Sequence, residues 1–120
     1  KIVKSLKSSP KWNNQFTFLK AENNLKPSWF GIPILLNKKL LRFKDRYLKK
    51  LNKNGIDTRP IISGNFLKQP SINLYKLNKN KEKFPAAQEI EDRGFFIGLH
   101  DKKLGEKELK KLTNNLLSIN

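Results

Sequence analysis

Few residues of this chain have the type and spacing to do chemistry, and they fall at two places. The first is the stretch TRPIISGNFLKQPS, residues 58–71. Arg59 stands in an apolar run beside Pro60, where a guanidinium can hold a carboxylate or phosphate through two parallel hydrogen bonds. The same position on the solvent face of an edge strand would need no ligand. Gly64 permits a positive φ or a close approach, and Asn65 can bond a ligand or its own loop. Gln69-Pro70 closes the segment. The second place is His100, the single histidine, followed by Asp101. A histidine after a strand can transfer a proton or bind a ligand, or simply sit hydrogen-bonded at the surface. With one His and no Cys, a zinc shell is poorly supported, since no second His or Cys exists to complete it. No phosphate-cradling or dinucleotide glycine motif is present. Glu89, Glu91 and Asp92 read as solvated carboxylates on a short amphipathic helix.

The elements that must position these residues follow from periodicity. QFTFL (15–19) and SWFGIPILL (28–36) read as strands. Pro33 then calls for an edge strand, or for a place where its nitrogen faces away from the ladder. Asn37 caps a helix over 38–54, with Leu40, Phe43, Tyr47 and Leu51 on one face and Leu41 and Leu48 widening it. Asn54-Gly55 ends that helix in a left-handed cap. A strand over 56–62 leads into the loop, and about one helical turn follows over 72–77. Residues 76–83, KLNKNKEK, form a charged surface loop. Pro85 opens a helix over 86–93 that Gly94 stops. A strand over 95–99 and a closing helix over 106–118, with acids in its first turn, complete the pattern. This is an α+β architecture: a small, largely antiparallel sheet covered by helices, with helices 38–53 and 106–118 on one face. Residues 1–27 read as an N-terminal segment or the remnant of an upstream domain, in which Trp12, Phe16 and Phe18 have no evident place in the core. Residues 28–120 read as the domain itself.

At 120 residues the chain is sized for one core. It begins with Lys rather than Met, which reads as a fragment or processed piece of something longer. No apolar run is long enough to span a membrane, and no signal-peptide pattern appears. The absence of Cys fits a reducing, cytoplasmic setting. A net charge of +16 has two readings. One is a small basic nucleic-acid-binding domain. The other is a compositional habit, with lysines scattered over solvated helix faces.

The order of motifs favours the second reading. PSWFGIPI, then LLRFKDRYLKKLNKNGIDTRPIISGNFLKQP, then FPAAQEIEDRGFFIGLH and a last amphipathic helix resemble the C-terminal part of the DegT/DnrJ/StrS nucleotide-sugar aminotransferase family. The match covers roughly residues 27–118. The Gly-Asn…Gln-Pro element resembles the branch of sugar 3-dehydratases acting on 4-keto-6-deoxyhexoses, in deoxysugar and polysaccharide biosynthesis. The resemblance implies the small domain of a fold-type I pyridoxal-phosphate enzyme, closing over a nucleotide-linked keto-sugar. The cofactor-holding lysine, or the histidine that replaces it in the dehydratases, would lie outside this chain. By the same resemblance Trp29, Phe30 and Gly31 open the domain's first strand. Arg59, Asn65, Gln69 and His100 would be substrate-binding, and none of the chain's residues catalytic. Gly105 replaces the usual Ser or Thr helix cap. No cofactor is expected on this chain by itself, and self-association, as a homodimer or through residues 1–27, is expected of it.

Overall fold

The computed structural model describes residues 1–76 and 84–119. Residues 77–83, which make up nearly all of the charged 76–83 loop, lie outside the described set. Four strands form one antiparallel sheet: β1 (Phe16–Phe18), β2 (Gly31–Leu36), β3 (Thr58–Arg59) and β4 (Gly94–Gly98), in the order β1-β2-β4-β3. Helices α1 (Ile2–Lys7), α2 (Lys44–Lys53), α3 (Ser71–Leu74), α4 (Pro85–Arg93) and α5 (Glu106–Leu116) surround it.

Alternation along the strands sends Phe16, Ile34, Leu36, Phe95 and Ile97 to one face, where all five are buried. Leu6 of α1, Tyr47 and Leu51 of α2, and Leu116 of α5 pack onto that face as one core. The helices carrying residues 44–53 and 106–116 thus share a face, as their apolar stripes require. Tyr47 reaches across: its hydroxyl donates to the Leu116 carbonyl at 2.7 Å. The α1–α5 contact is sealed by a 2.9 Å hydrogen bond between the Ser5 and Thr113 hydroxyls.

The N-terminal aromatics are not spare. Phe16 is 4% exposed, and Trp12 and Phe18 pack against the core beside it. Ring centroids of Trp12, Phe18, Tyr47 and Phe95 lie 6.0–6.4 Å apart in a cluster around Phe16. The expectation that they lacked a place fails because β1 pairs with β2 and so continues the buried face outward.

Pro33 sits in an inner strand, not an edge. Leu99 N–H donates to Phe30 O and Asn37 N–H to Gln15 O. That alternation turns the Pro33 nitrogen toward β1, opposite position 19, where β1 has already ended at Phe18. No ladder bond is lost.

Two elements differ from their expected form. Residues Lys38–Phe43 wind as a 3-10 helix, and the α-helix begins at Lys44. The tighter winding stacks Leu40 and Phe43, three residues apart, on one side, and both pack on the core. Asn37 caps it as expected, accepting Lys39 N–H at 3.0 Å. The strand expected over 56–62 pairs only at Thr58–Arg59. Pro60 has no N–H for the ladder, and Ile62 and Gly64 at φ 44° and 60° turn the chain away. Gly55, at φ 79°, provides the left-handed end of α2. At α5, Gly105 supplies no capping side chain; the Glu108 carboxylate reaches back to accept Gly105 N–H at 2.8 Å.

Candidate functional site

The loop between β3 and α3 is held by α4 beneath it. Glu91 and Gln88 lie three residues apart on one face of α4 and point at the loop. Asn65 N–H donates to Glu91 Oε2 at 2.5 Å, and Lys68 Nζ meets Glu91 Oε1 at 2.6 Å. The Asn65 side chain is 1% exposed. Its amide donates to Gln88 Oε1 at 3.0 Å while its oxygen accepts Leu67 N–H at 3.1 Å, capping the 3-10 turn Phe66–Lys68. Gln69 Nε2 donates across the loop's neck to Ser63 O at 3.1 Å. Gly64 passes so close to Glu91 that a Cβ would sit 2.8 Å from Oε2. The polar residues thus build the loop, and its large apolar groups left facing out are Ile62 and Phe66, both exposed.

The carboxylates of α4 are therefore not merely solvated. The Lys68 ammonium, then the Asn65 N–H, hold the Glu91 carboxyl below the usual range. Glu89 pairs with Lys38 and Arg93, which lower its pKa, chiefly through Lys38. Asp92 accepts from Gln88 Nε2 at 2.7 Å. Sequence reasoning missed Glu91 and Gln88. Their i, i+3 spacing on a helix that must face a loop was the available signal. Lys44 closes the other side, its ammonium donating to the carbonyls of Glu91 and Asp92 at 3.0 and 2.7 Å. Burial lowers its pKa against the pull of Asp45, Asp92 and Glu91.

Arg59 is largely exposed, and its Nε meets Asp57 Oδ2 at 3.1 Å. With Gly64, Glu91, Lys44 and Lys49 it lines a groove of about 480 Å³ between α2, β3 and α4. His100 lies elsewhere. It lines a larger groove of about 970 Å³ with Trp29, Leu99, Lys102 and Lys103. The structure brings Arg59, Asn65 and Gln69 to one loop region and leaves His100 on a different groove. Trp29 and Phe30 precede β2 and are exposed, while Gly31 begins it. Among the described residues no cluster of three His, Cys, Asp or Glu could hold a metal ion. Nor, among them, is any helix long and apolar enough to cross a membrane.

No family model matches the chain. Curated relatives do. A GDP-4-keto-6-deoxy-D-mannose 3-dehydratase of Yersinia pseudotuberculosis is 34% identical over 89 residues, covering 74% of this chain and 22% of that protein. One of Escherichia coli O55:H7 (strain CB9615 / EPEC) is 32% identical over 73 residues, covering 61% and 19%. Solved structures agree. A variant of GDP-4-keto-6-deoxymannose-3-dehydratase (ColD) with bound GDP-perosamine superposes with a TM-score of 0.76 at 25% identity, over 96% of this chain and 28% of that one. The E. coli enzyme with bound hydrated PLP gives 0.72 at 25% identity, with the same coverage. The chain therefore spans about a fifth to a quarter of the length of the proteins it matches. By sequence and by fold together, this chain is a homologue of one part of the GDP-4-keto-6-deoxy-D-mannose 3-dehydratases, the PLP-dependent sugar 3-dehydratase branch that its motif order resembles.

Proposed function

We propose that this chain is the small C-terminal domain of a PLP-dependent nucleotide-sugar 3-dehydratase of deoxysugar biosynthesis, working in the cytoplasm on a GDP-linked 4-keto-6-deoxyhexose. The observation that carries this reading is that sequence and fold both select the same dehydratases. Dehydration is preferred to transamination for the same reason. No observation favours the nucleic-acid alternative, and Lys38, Arg59, Lys68 and Arg93 are engaged with carboxylates of the chain itself.

The residues here do not fit the cofactor's own cradle. Lys44 has its ammonium partly desolvated, but two backbone carbonyls hold it, so it is not free to condense with an aldehyde. PLP would supply its electron sink from the remainder of the protein. This domain's task is then to border and orient the sugar. Loop 60–70 forms the wall, with Arg59 as the anion-holding candidate. Asn65 and Gln69 act by shaping that wall, and His100 serves a second contact on the larger groove. Residues 1–27 carry the connection to the preceding domain. Exposed Leu19, Leu25 and Phe30 supply apolar surface for assembly.

The test is a graft. Residues 1–120 replace the matching quarter of the E. coli 3-dehydratase, and the chimera is assayed with PLP for loss of the sugar 3-hydroxyl. A folded, PLP-loaded chimera that dehydrates the GDP-sugar is expected. One that folds and loads PLP but leaves the sugar untouched refutes the reading.

A further inference from the structure

We propose that Glu91 is a positioning residue: its carboxylate clamps loop 62–69 into a strained conformation, and that conformation sets the sugar-facing wall of the proposed dehydratase. Ile62 is the sign of strain. It is β-branched, holds φ 44°, and is 86% exposed, so no packing of its own side chain explains the geometry. Such backbone persists only where neighbouring contacts over-determine it. Here Glu91 supplies the contacts on the other side of the turn. One oxygen takes the Asn65 N–H and the other the Lys68 ammonium. Gln88, one helical turn earlier, takes the Asn65 amide. Gly64 completes the fit, since its positive φ and missing Cβ let the backbone lie against the Glu91 carboxylate.

The geometry divides the labour within the loop. Asn65 spends both its side-chain polar atoms inside the chain, and Gln69 spends its Nε2. What they present to a ligand is shape, through Ile62 and Phe66. Glu91 therefore acts on substrate through the loop without touching it. The clamp needs the ionised carboxylate, because a protonated one offers a poorer acceptor to an N–H and loses the ion pair. The charged groups acting on Glu91 are Lys68 from the loop and Lys44 from α2, and Arg59 from β3 with Asp45 and Lys49 from α2 line the same groove. Cations dominate, which keeps the carboxylate ionised. As pH falls through its depressed pKa, the acceptor is lost and the loop is released.

Two measurements test this, and the second rests on the proposed function while the first does not. In the 120-residue chain, the Asn65 amide shift is followed by NMR against pH, and amide exchange is measured in the chain and in Glu91→Gln. The expected result is an Asn65 titration below the ordinary carboxylate range of about 4.3. In the variant, protection at Gly64–Leu67 falls about ten- to a hundredfold, the loss a charge-assisted hydrogen bond supports, while β2 and β4 are unchanged. An Asn65 amide that ignores the titration overturns the clamp, as does a uniform loss of protection. Should Glu91→Gln not fold, the titration of the unmodified chain and of Lys68→Met, in which the Asn65 midpoint should rise, decides alone. In the chimera, Glu91→Gln should raise KM for the GDP-sugar with PLP content unchanged, and Glu89→Gln on the same helix should not. Loss of loop protection in Glu91→Gln with KM unchanged overturns the positioning role. An unmodified chimera without activity overturns the proposed function and leaves the clamp standing.

Discussion

Phe16→Ala asks whether the first eighteen residues belong to the core. Phe16 is 4% exposed and touches four other rings, with centroids 6.1–6.4 Å away. Removing a buried ring costs about 3–5 kcal/mol in transfer and cavity energy. A domain of this size has roughly 6–18 kcal/mol to lose, at about 0.05–0.15 kcal/mol per residue. The variant should therefore still fold, with its Tm lowered by about 10–25 °C. Phe30→Ala is the matched control. It is the same truncation at a ring 76% exposed, with one edge-to-face neighbour, Phe96, at 5.6 Å. It should cost less than about 1 kcal/mol. Thermal melts by circular dichroism and urea titrations of both variants measure the difference. Equal midpoints would mean that β1 contributes nothing to the fold, and the account of the sheet's outer strand would be refuted.

Tyr47→Phe leaves the buried Leu116 carbonyl without its donor and should cost about 1–3 kcal/mol by urea unfolding. Burial also raises the Tyr47 pKa well above that of a free phenol. Its stabilisation is present below the unfolded value of about 10 and is lost as pH rises above it, so the alkaline unfolding midpoint should move upward in the Phe variant relative to its own neutral stability. Gly94→Ala should cost at least about 3 kcal/mol, because the new Cβ would lie 2.2 Å from Ile90 O. Gly55→Ala, with nothing within 4 Å, should cost only the roughly 1–2 kcal/mol of its left-handed backbone. A PLP titration of the chain with borohydride trapping and peptide mapping should label many lysines thinly, and one lysine labelled stoichiometrically at micromolar cofactor would contradict that. Light scattering should show self-association at high concentration, and a strict monomer would count against the exposed apolar surface as an assembly face.

Local sequence determined the elements that local energetics govern. Asn37 and Gly55 marked the ends of the 38–53 segment, because a cap and a left-handed turn are decided within a few residues. The stripe of Tyr47 and Leu51 marked the core face of α2 for the same reason. The order of Gly-Asn, Gln-Pro and Gly-Phe motifs identified the family resemblance, since chain order survives where packing is unseen. Only the tertiary structure decided what depends on residues far apart in the chain. Phe16 has a buried place because β1 finds β2, some eighteen residues on. Pro33 is tolerated in an inner strand because β1 stops at Phe18. The strand expected over 56–62 shrank to two residues because Pro60 has no N–H for the ladder and the turn at Ile62 and Gly64 outweighs β propensity. Asn65 looked like a ligand-facing group, since sequence shows which atoms can bond but not which partners reach them first. Glu91 looked like a solvated carboxylate and Gln88 drew no reading, because their loop partners lie more than twenty positions away, and a carboxylate's role is set by the donors that the fold brings to it.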